Sequence, residues 1–135
     1  MNRRKGDAMT ALQDPNGSCD MLILDAIAAR LTGAEAFSAA QDVRTYVGIT
    51  TAILMAIATT AGTLAVKLQD SADGSTGWAD IPGAAFASVT AGPSSQRLAF
   101  NVGACRGYVR LSITVSGASA AYDVGVVALA KRTLS

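Results

Sequence analysis

From Gly62 to the C-terminus, glycines at 62, 74, 83, 92, 103 and 117 punctuate the chain at intervals of 12, 9, 9, 11 and 14 residues. Between them apolar and polar side chains alternate. Leu98, Phe100 and Val102 oppose Arg97, Ala99 and Asn101, while Val109, Leu111, Ile113 and Val115 oppose Tyr108, Arg110, Ser112 and Thr114. A period of two puts successive side chains on opposite faces of a pleated strand, so each segment has one face for a core and one for solvent or a partner. Short strands at this spacing predict an all-β sandwich or barrel. The last segment, YDVGVVALAK, is apolar on both sides, with Val124 and Val126 against Val127 and Leu129. That pattern predicts a central strand covered on both faces. About eight antiparallel strands are expected in all, with no helix of consequence.

Upstream, the 22 residues from Thr45 to Val66 carry no charge and are bounded by Arg44 and Lys67. Such a run is long enough to cross a bilayer. Six threonines, Gly48 and Gly62, and a single flanking aromatic, Tyr46, argue against that. Its centre, TTAGT, reads as a turn, which predicts a buried hairpin joining AILMAIAT to TLAVKLQ. In the second strand Leu64, Val66 and Leu68 face one way and Ala65, Lys67 and Gln69 the other. Residues 20–31, DMLILDAIAARL, fit either a helix capped by Asp20, with Met21, Leu24, Ile27 and Leu31 on one face, or an apolar strand. Extended structure is the preferred reading. Residues 34–44 read as a short edge segment followed by a loop. Residues 1–18 form a polar arm with Arg3, Arg4 and Lys5 together and a turn signal at Asp14-Pro15-Asn16-Gly17. The arm is expected to be a loose terminus or a strap that orders against a neighbouring subunit, ahead of a single domain over 19–135.

Composition narrows the chemistry. Ala, Gly, Ser and Thr make up 63 of 135 residues, and Leu, Ile, Val and Phe only 31, so packing power is modest and help from a partner is expected. Without histidine, Ser-His-Asp and Cys-His catalysis, the H-E-x-x-H metalloprotease motif and His-ligated metal sites are excluded. A net charge of +1 leaves no field to attract nucleic acid or an anionic membrane, so neither is expected as a partner. Cys19 and Cys105 lie far apart with no C-x-x-C, and they read as buried free thiols. The N-terminus lacks the apolar stretch of a signal peptide, which points to folding in the cytoplasm. No cofactor, metal or catalytic site is expected, and the chain reads as a non-enzyme.

Two segments offer candidate contacts. In the loop Asp70-Ser71-Ala72-Asp73-Gly74-Ser75-Thr76-Gly77-Trp78-Ala79-Asp80, aligning Gly74 with the turn glycine of a calcium loop puts Gln69 where the first carboxylate belongs, so that register fails. Asp70, Asp73 and Asp80 would serve a glycosidase only if a cleft held two of them a fixed distance apart, and a tight hairpin offers no cleft. Asp73-Gly74 is read as a turn, and Trp78 as packing at the start of the next strand or stacking on a sugar or protein partner. In Arg106-Gly107-Tyr108-Val109-Arg110, Tyr108 and Arg110 point outward, with Arg97 expected on a neighbouring strand; outward Tyr and Arg are typical interface anchors.

The stretch LAVKLQDSADGSTGWADIPGAAFASVTAG, followed by RLAFNVGACRGYVRLSITVSGASAAYDVGVVALAK, resembles the small capsid cement (decoration, head-stabilising) proteins of tailed phages, of the jelly-roll kind. The shared elements are a strand, an S-x-D-G turn, W-x-D-I-P, an R-Y-V-R-like strand interrupted here by Gly107 and ending in T-V-S-G, and a final apolar strand. The N-terminal third matches only in its DMLILDA opening and in Asp42. The resemblance implies a jelly-roll β-sandwich with an extended N-terminal arm. It further implies a homodimer or homotrimer on the outer surface of a virion, made in a bacterial cytoplasm and bridging major capsid protein subunits without catalysis. Arg3, Arg4, Lys5, Trp78, Arg97, Arg106, Tyr108 and Arg110 are the expected interaction residues. A tail or connector protein and a carbohydrate-binding β-sandwich module are the alternatives. Trp78 separates the last of these: exposed beside polar groups it favours sugar, buried under the 70s loop it favours a structural role.

Overall fold

The computed structural model describes residues 19–60, 62–90 and 93–132. The arm with Arg3, Arg4 and Lys5 lies outside them, and of Cys19 only the backbone is described. The strands are β1 (Cys19–Leu31), β2 (Ala36–Phe37), β3 (Gln41–Asp42), β4 (Tyr46–Thr60), β5 (Thr63–Ser71), β6 (Ala79–Ala85), β7 (Ser94–Asn101), β8 (Tyr108–Ser116) and β9 (Ala121–Arg132), with one 3-10 turn at Val102–Ala104. They form two antiparallel sheets, one in the order β1-β9-β4-β7 and the other β2-β8-β5-β6, with β3 beside β2 along the same edge of β8. Taking β2 and β3 as one interrupted edge strand leaves eight. The chain changes sheet at every connection except β5 to β6, which is the winding of a jelly roll.

The alternating residues supply the core. Leu64, Val66 and Leu68 on β5 and Val109, Leu111, Ile113 and Val115 on β8 meet Leu54 on β4 and Tyr122, Val124 and Val126 on β9, all essentially buried. Small residues at Ala52, Ala56 and Ala128 sit among them, so large side chains of the facing sheet fill the space between. Residues 20–31 are extended, as preferred, with Leu24 buried and Met21 and Ile23 on the opposite face.

Three expectations are corrected. The turn at Thr60–Thr63 is real, but β4 pairs with β7 and β9 while β5 pairs with β6 and β8, so it is a corner between sheets and not a hairpin. The reason lies at Gly62, which packs directly on Ala120 and the Ser116 carbonyl and carries the chain over the β8–β9 corner. Gly83 does not end a strand; it lies within β6, where the β5–β6 register is irregular. Finally, β9 is central in its sheet, yet its outer face is not fully covered: Leu129 is exposed and Val127 is only partly buried. No helix among the described residues is long and apolar enough to cross a membrane.

Thr50 is fully buried on β4, and its hydroxyl has no hydrogen-bond partner. An unpaired buried hydroxyl costs about 1–3 kcal/mol. Thr50→Val keeps the shape and removes the orphan, and is expected to raise stability by about 1 kcal/mol, read as a higher urea midpoint at unchanged slope.

Candidate functional site

The outer face of the second sheet carries most of the polar and aromatic residues singled out above. Arg110 projects from β8 opposite Gln69 on β5 and donates to its Oε1 at 2.9 Å. Its guanidinium lies 3.7 Å from the ring centroid of Phe37 and 4.3 Å from that of Trp78. Stacking of this kind fixes a long side chain and two rings in one arrangement. The network continues sideways, as Asp80 accepts from Gln69 Nε2 and from Lys67 Nζ, each at 2.9 Å. Beside it Glu35 accepts from the Ser112 hydroxyl. Tyr108 is held at the end of the same strand, with Arg44 5.1 Å from its ring centroid and Gly74 packed against the ring.

The 70s loop is locked from within. Asp73 accepts from the backbone N–H groups of Ser75 and Thr76 at 2.9 and 2.8 Å and from the Thr76 hydroxyl at 2.8 Å. The buried Ser71 hydroxyl accepts from Gly74 N–H at 3.1 Å, and Gly74 takes a φ of +77°, the left-handed region that the turn requires. Arg106 clamps the loop: it pairs with Asp70 at 2.9 Å and donates to the carbonyls of Asp70 and Gly77. Each loop carboxylate is thus committed to a turn, a clamp or a strand pair. Among the described residues no group of three or more His, Cys, Asp or Glu could hold a metal ion.

The expected interaction residues therefore separate. Trp78, Tyr108 and Arg110 share one face; Arg106 works inside the loop; Arg97 is on β7, in the other sheet, and is no neighbour of Tyr108. The physical reason is the winding, which sends consecutive long strands to opposite sheets. Phe37 and Glu35 were missed, because a two-residue edge strand carries too little alternation to be read as a face. Trp78 is half-buried with the Arg110 guanidinium against its ring, an arrangement nearer the structural outcome than the sugar platform. Cys105 is free but only partly buried; burial first, then the Asp70 carboxylate, pushes its thiol up to about 11, which makes it a poor nucleophile at neutral pH.

The outer face of the first sheet is of a different kind. Met21, Leu129, Thr51 and Ala99 lie across it in one row, and Ile23, Val127, Ile53 and Arg97 in the next. Met55 and Ile57 extend the face along β4 to a shallow depression of about 330 Å³ beside Pro93 and Ser94. Six of these large side chains, Met21, Ile23, Ile49, Met55, Ile57 and Leu129, are between 47% and 66% exposed. Large apolar side chains gathered on one exposed face are uncommon on a folded monomer.

The carboxylates set a pH dependence. Hydrogen bonds from Thr76 and Ser75 hold Asp73 far below the usual carboxylate range, the Arg44 side chain lowers Asp42 to about 2, and Gln69 and Lys67 lower Asp80. Groups lowered in the fold contribute stability that is present above their unfolded pKa and lost as pH falls through the folded value. With no histidine to titrate, the melting temperature is expected to be flat from about pH 8 to 5 and to fall below about pH 4. Asp73→Asn is expected to lower the plateau and flatten the acid limb, as calorimetry across pH would record.

No protein-family model matches the chain. No curated protein matches its sequence. Solved structures do match in fold. One is a chain of the T13 viral particle of infectious bursal disease virus, with a TM-score of 0.57 and 14% identity over 84% of this chain and 31% of that one. Another is the PBSX exported protein XepA, at 0.54 and 19% identity over 86% and 38%. A third comes from Bacillus endospore appendages described as disulfide-linked pili, at 0.51 and 17% identity over 86% and 92%. This chain spans about a third of the length of the first two. At these identities the likeness is one of fold alone, and the fold is a jelly-roll β-sandwich.

Proposed function

We propose that this chain is a non-catalytic structural protein of a viral particle, a cement or decoration protein of a tailed phage, which docks on the outer capsid surface and bridges major capsid protein subunits. The observation that carries the reading is the outer face of the second sheet, where Phe37, Arg110 and Trp78 are stacked and Tyr108 is braced by Arg44 before any partner arrives. Interfaces draw their energy from Trp, Tyr and Arg anchors, and anchors already ordered in the free chain lose little conformational entropy on docking. A fold shared with a chain of a viral particle supports the same reading. The mechanism is mechanical: many copies each bury a modest surface across seams, and resistance to internal pressure grows with their number.

The test is made on particles from the genome that encodes this chain. Deleting its gene is expected to yield particles that lack the chain by mass spectrometry and lose their contents at lower temperature than complete ones. Trp78→Ala with Arg110→Ala is expected to leave the chain folded and to abolish its recovery on particles. Particles that never contain the chain, or that are indifferent to its loss, would overturn the proposal.

A further inference from the structure

We infer that the open apolar face of the first sheet is the surface by which two copies of this chain pair, face to face about a two-fold axis. The inference deepens the structural reading and rests on it only in treating the chain as an assembly subunit. Three observations favour a second copy as the occupant. The first is area: from Ile49 to Ile57 the face runs about 26 Å along β4 and about 19 Å across four strands. Two such faces together remove on the order of 1,000 Å² from water, about the least that a specific interface between copies needs. The second is charge. In the two middle rows the one charged residue is Arg97, on the edge strand β7, while Asp123 and Lys131 stand toward the two ends of β9. The face thus has an apolar centre on β9 and β4 with its charges toward the edge and the ends, the arrangement of a protein interface. The third concerns what else the chain has to offer. Residues 1–18 contain only Met1, Met9 and Leu12 as large apolar side chains, against Arg3, Arg4, Lys5, Asp7 and Asp14. They cannot match the six exposed large side chains of the face.

Sheets pack in this way when side chains interdigitate, and Met21 and Met55 are adaptable enough to fit a copy of their own surface. The paired form would hold the two aromatic-arginine faces on opposite, outward sides, free for a different partner.

Sedimentation velocity on the full chain, from about 1 to 100 µM, tests this. Twice the 13.7 kDa chain mass is expected, undiminished in 1 M NaCl because the contact is apolar. Met55→Glu and Leu129→Glu, both at exposed positions, are each expected to weaken pairing at least 100-fold while circular dichroism and melting remain those of a folded sandwich. A wild-type monomer at 100 µM, a trimer, or folded variants that pair as tightly as wild type would overturn the inference. Recovery of the same variants on particles is scored separately. Monomeric variants that still bind would leave both proposals standing, whereas a dimer that never binds particles would remove the docking reading alone.

Discussion

Tyr122→Ala is expected to cost about 4 kcal/mol, the largest loss from any single truncation in this core. Tyr122 is fully buried on β9, and its hydroxyl lies 2.6 Å from the Gly62 carbonyl and 3.0 Å from the Val89 carbonyl. Val89 in turn exchanges both backbone hydrogen bonds with Leu64, at 2.8 and 2.9 Å. One side chain of the first sheet therefore ties down the corner where the chain crosses to the second and the segment that follows β6. Removing the ring leaves a cavity, worth about 3–5 kcal/mol for an aromatic, and leaves two carbonyls without the donor. Tyr122→Phe isolates the second part and is expected to cost about 1–2 kcal/mol. Against a total of about 5–15 kcal/mol, the alanine variant has little margin, and its melting temperature is expected to drop by about 15 °C. Urea unfolding of the three proteins checks the ordering; equal losses for Phe and Ala would mean that the cavity is filled by relaxation.

Those residues also show what the sequence could and could not disclose. Alternation marks a strand and tells which of its faces is buried, because the side-chain period of a strand is fixed. Leu98, Phe100 and Val102, Val109 to Val115, and Leu64 to Leu68 could all be read that way, and their inward faces are buried as expected except at Leu98, which is partly buried. Alternation says nothing about which strand lies alongside. A turn such as TTAGT serves a hairpin or a corner equally well, and the choice was made by Gly62, Ala120 and Tyr122, which are 58 and 60 residues apart from the first to the other two. The same blindness misplaced Arg97 and missed Phe37. Tyr108 and Arg110 were legible as outward residues, but the rings that stack on Arg110 arrive from an edge strand and from the 70s loop, distant in sequence. The double-sided apolar pattern of β9 was read as a covered strand. In the fold it has a core on one side and, on the other, the open face that calls for a partner, and the two give the same string of letters.

Gly62 provides the sharper test of the corner. A Cβ at that position would lie 2.2 Å from the Ala120 Cβ and 2.6 Å from the Ser116 carbonyl oxygen. Replacing glycine with alanine restricts the unfolded chain and by itself stabilises by about 0.4–1 kcal/mol. Here the clash decides the sign, because the obstructing atoms belong to backbone and to a buried methyl group with no rotamer to change. Gly62→Ala is expected to cost about 3 kcal/mol, the upper end of overpacking, as the β4–β5 and β8–β9 corners are forced apart. Adding Ala120→Gly removes the nearer contact and leaves the Ser116 carbonyl in place. The double variant is therefore expected to be more stable than Gly62→Ala alone while remaining below wild type, a favourable coupling that denaturation of the four-member cycle measures directly. Additive losses would show that the two corners do not touch, and with that the account of why the chain crosses between sheets at Gly62 would fail.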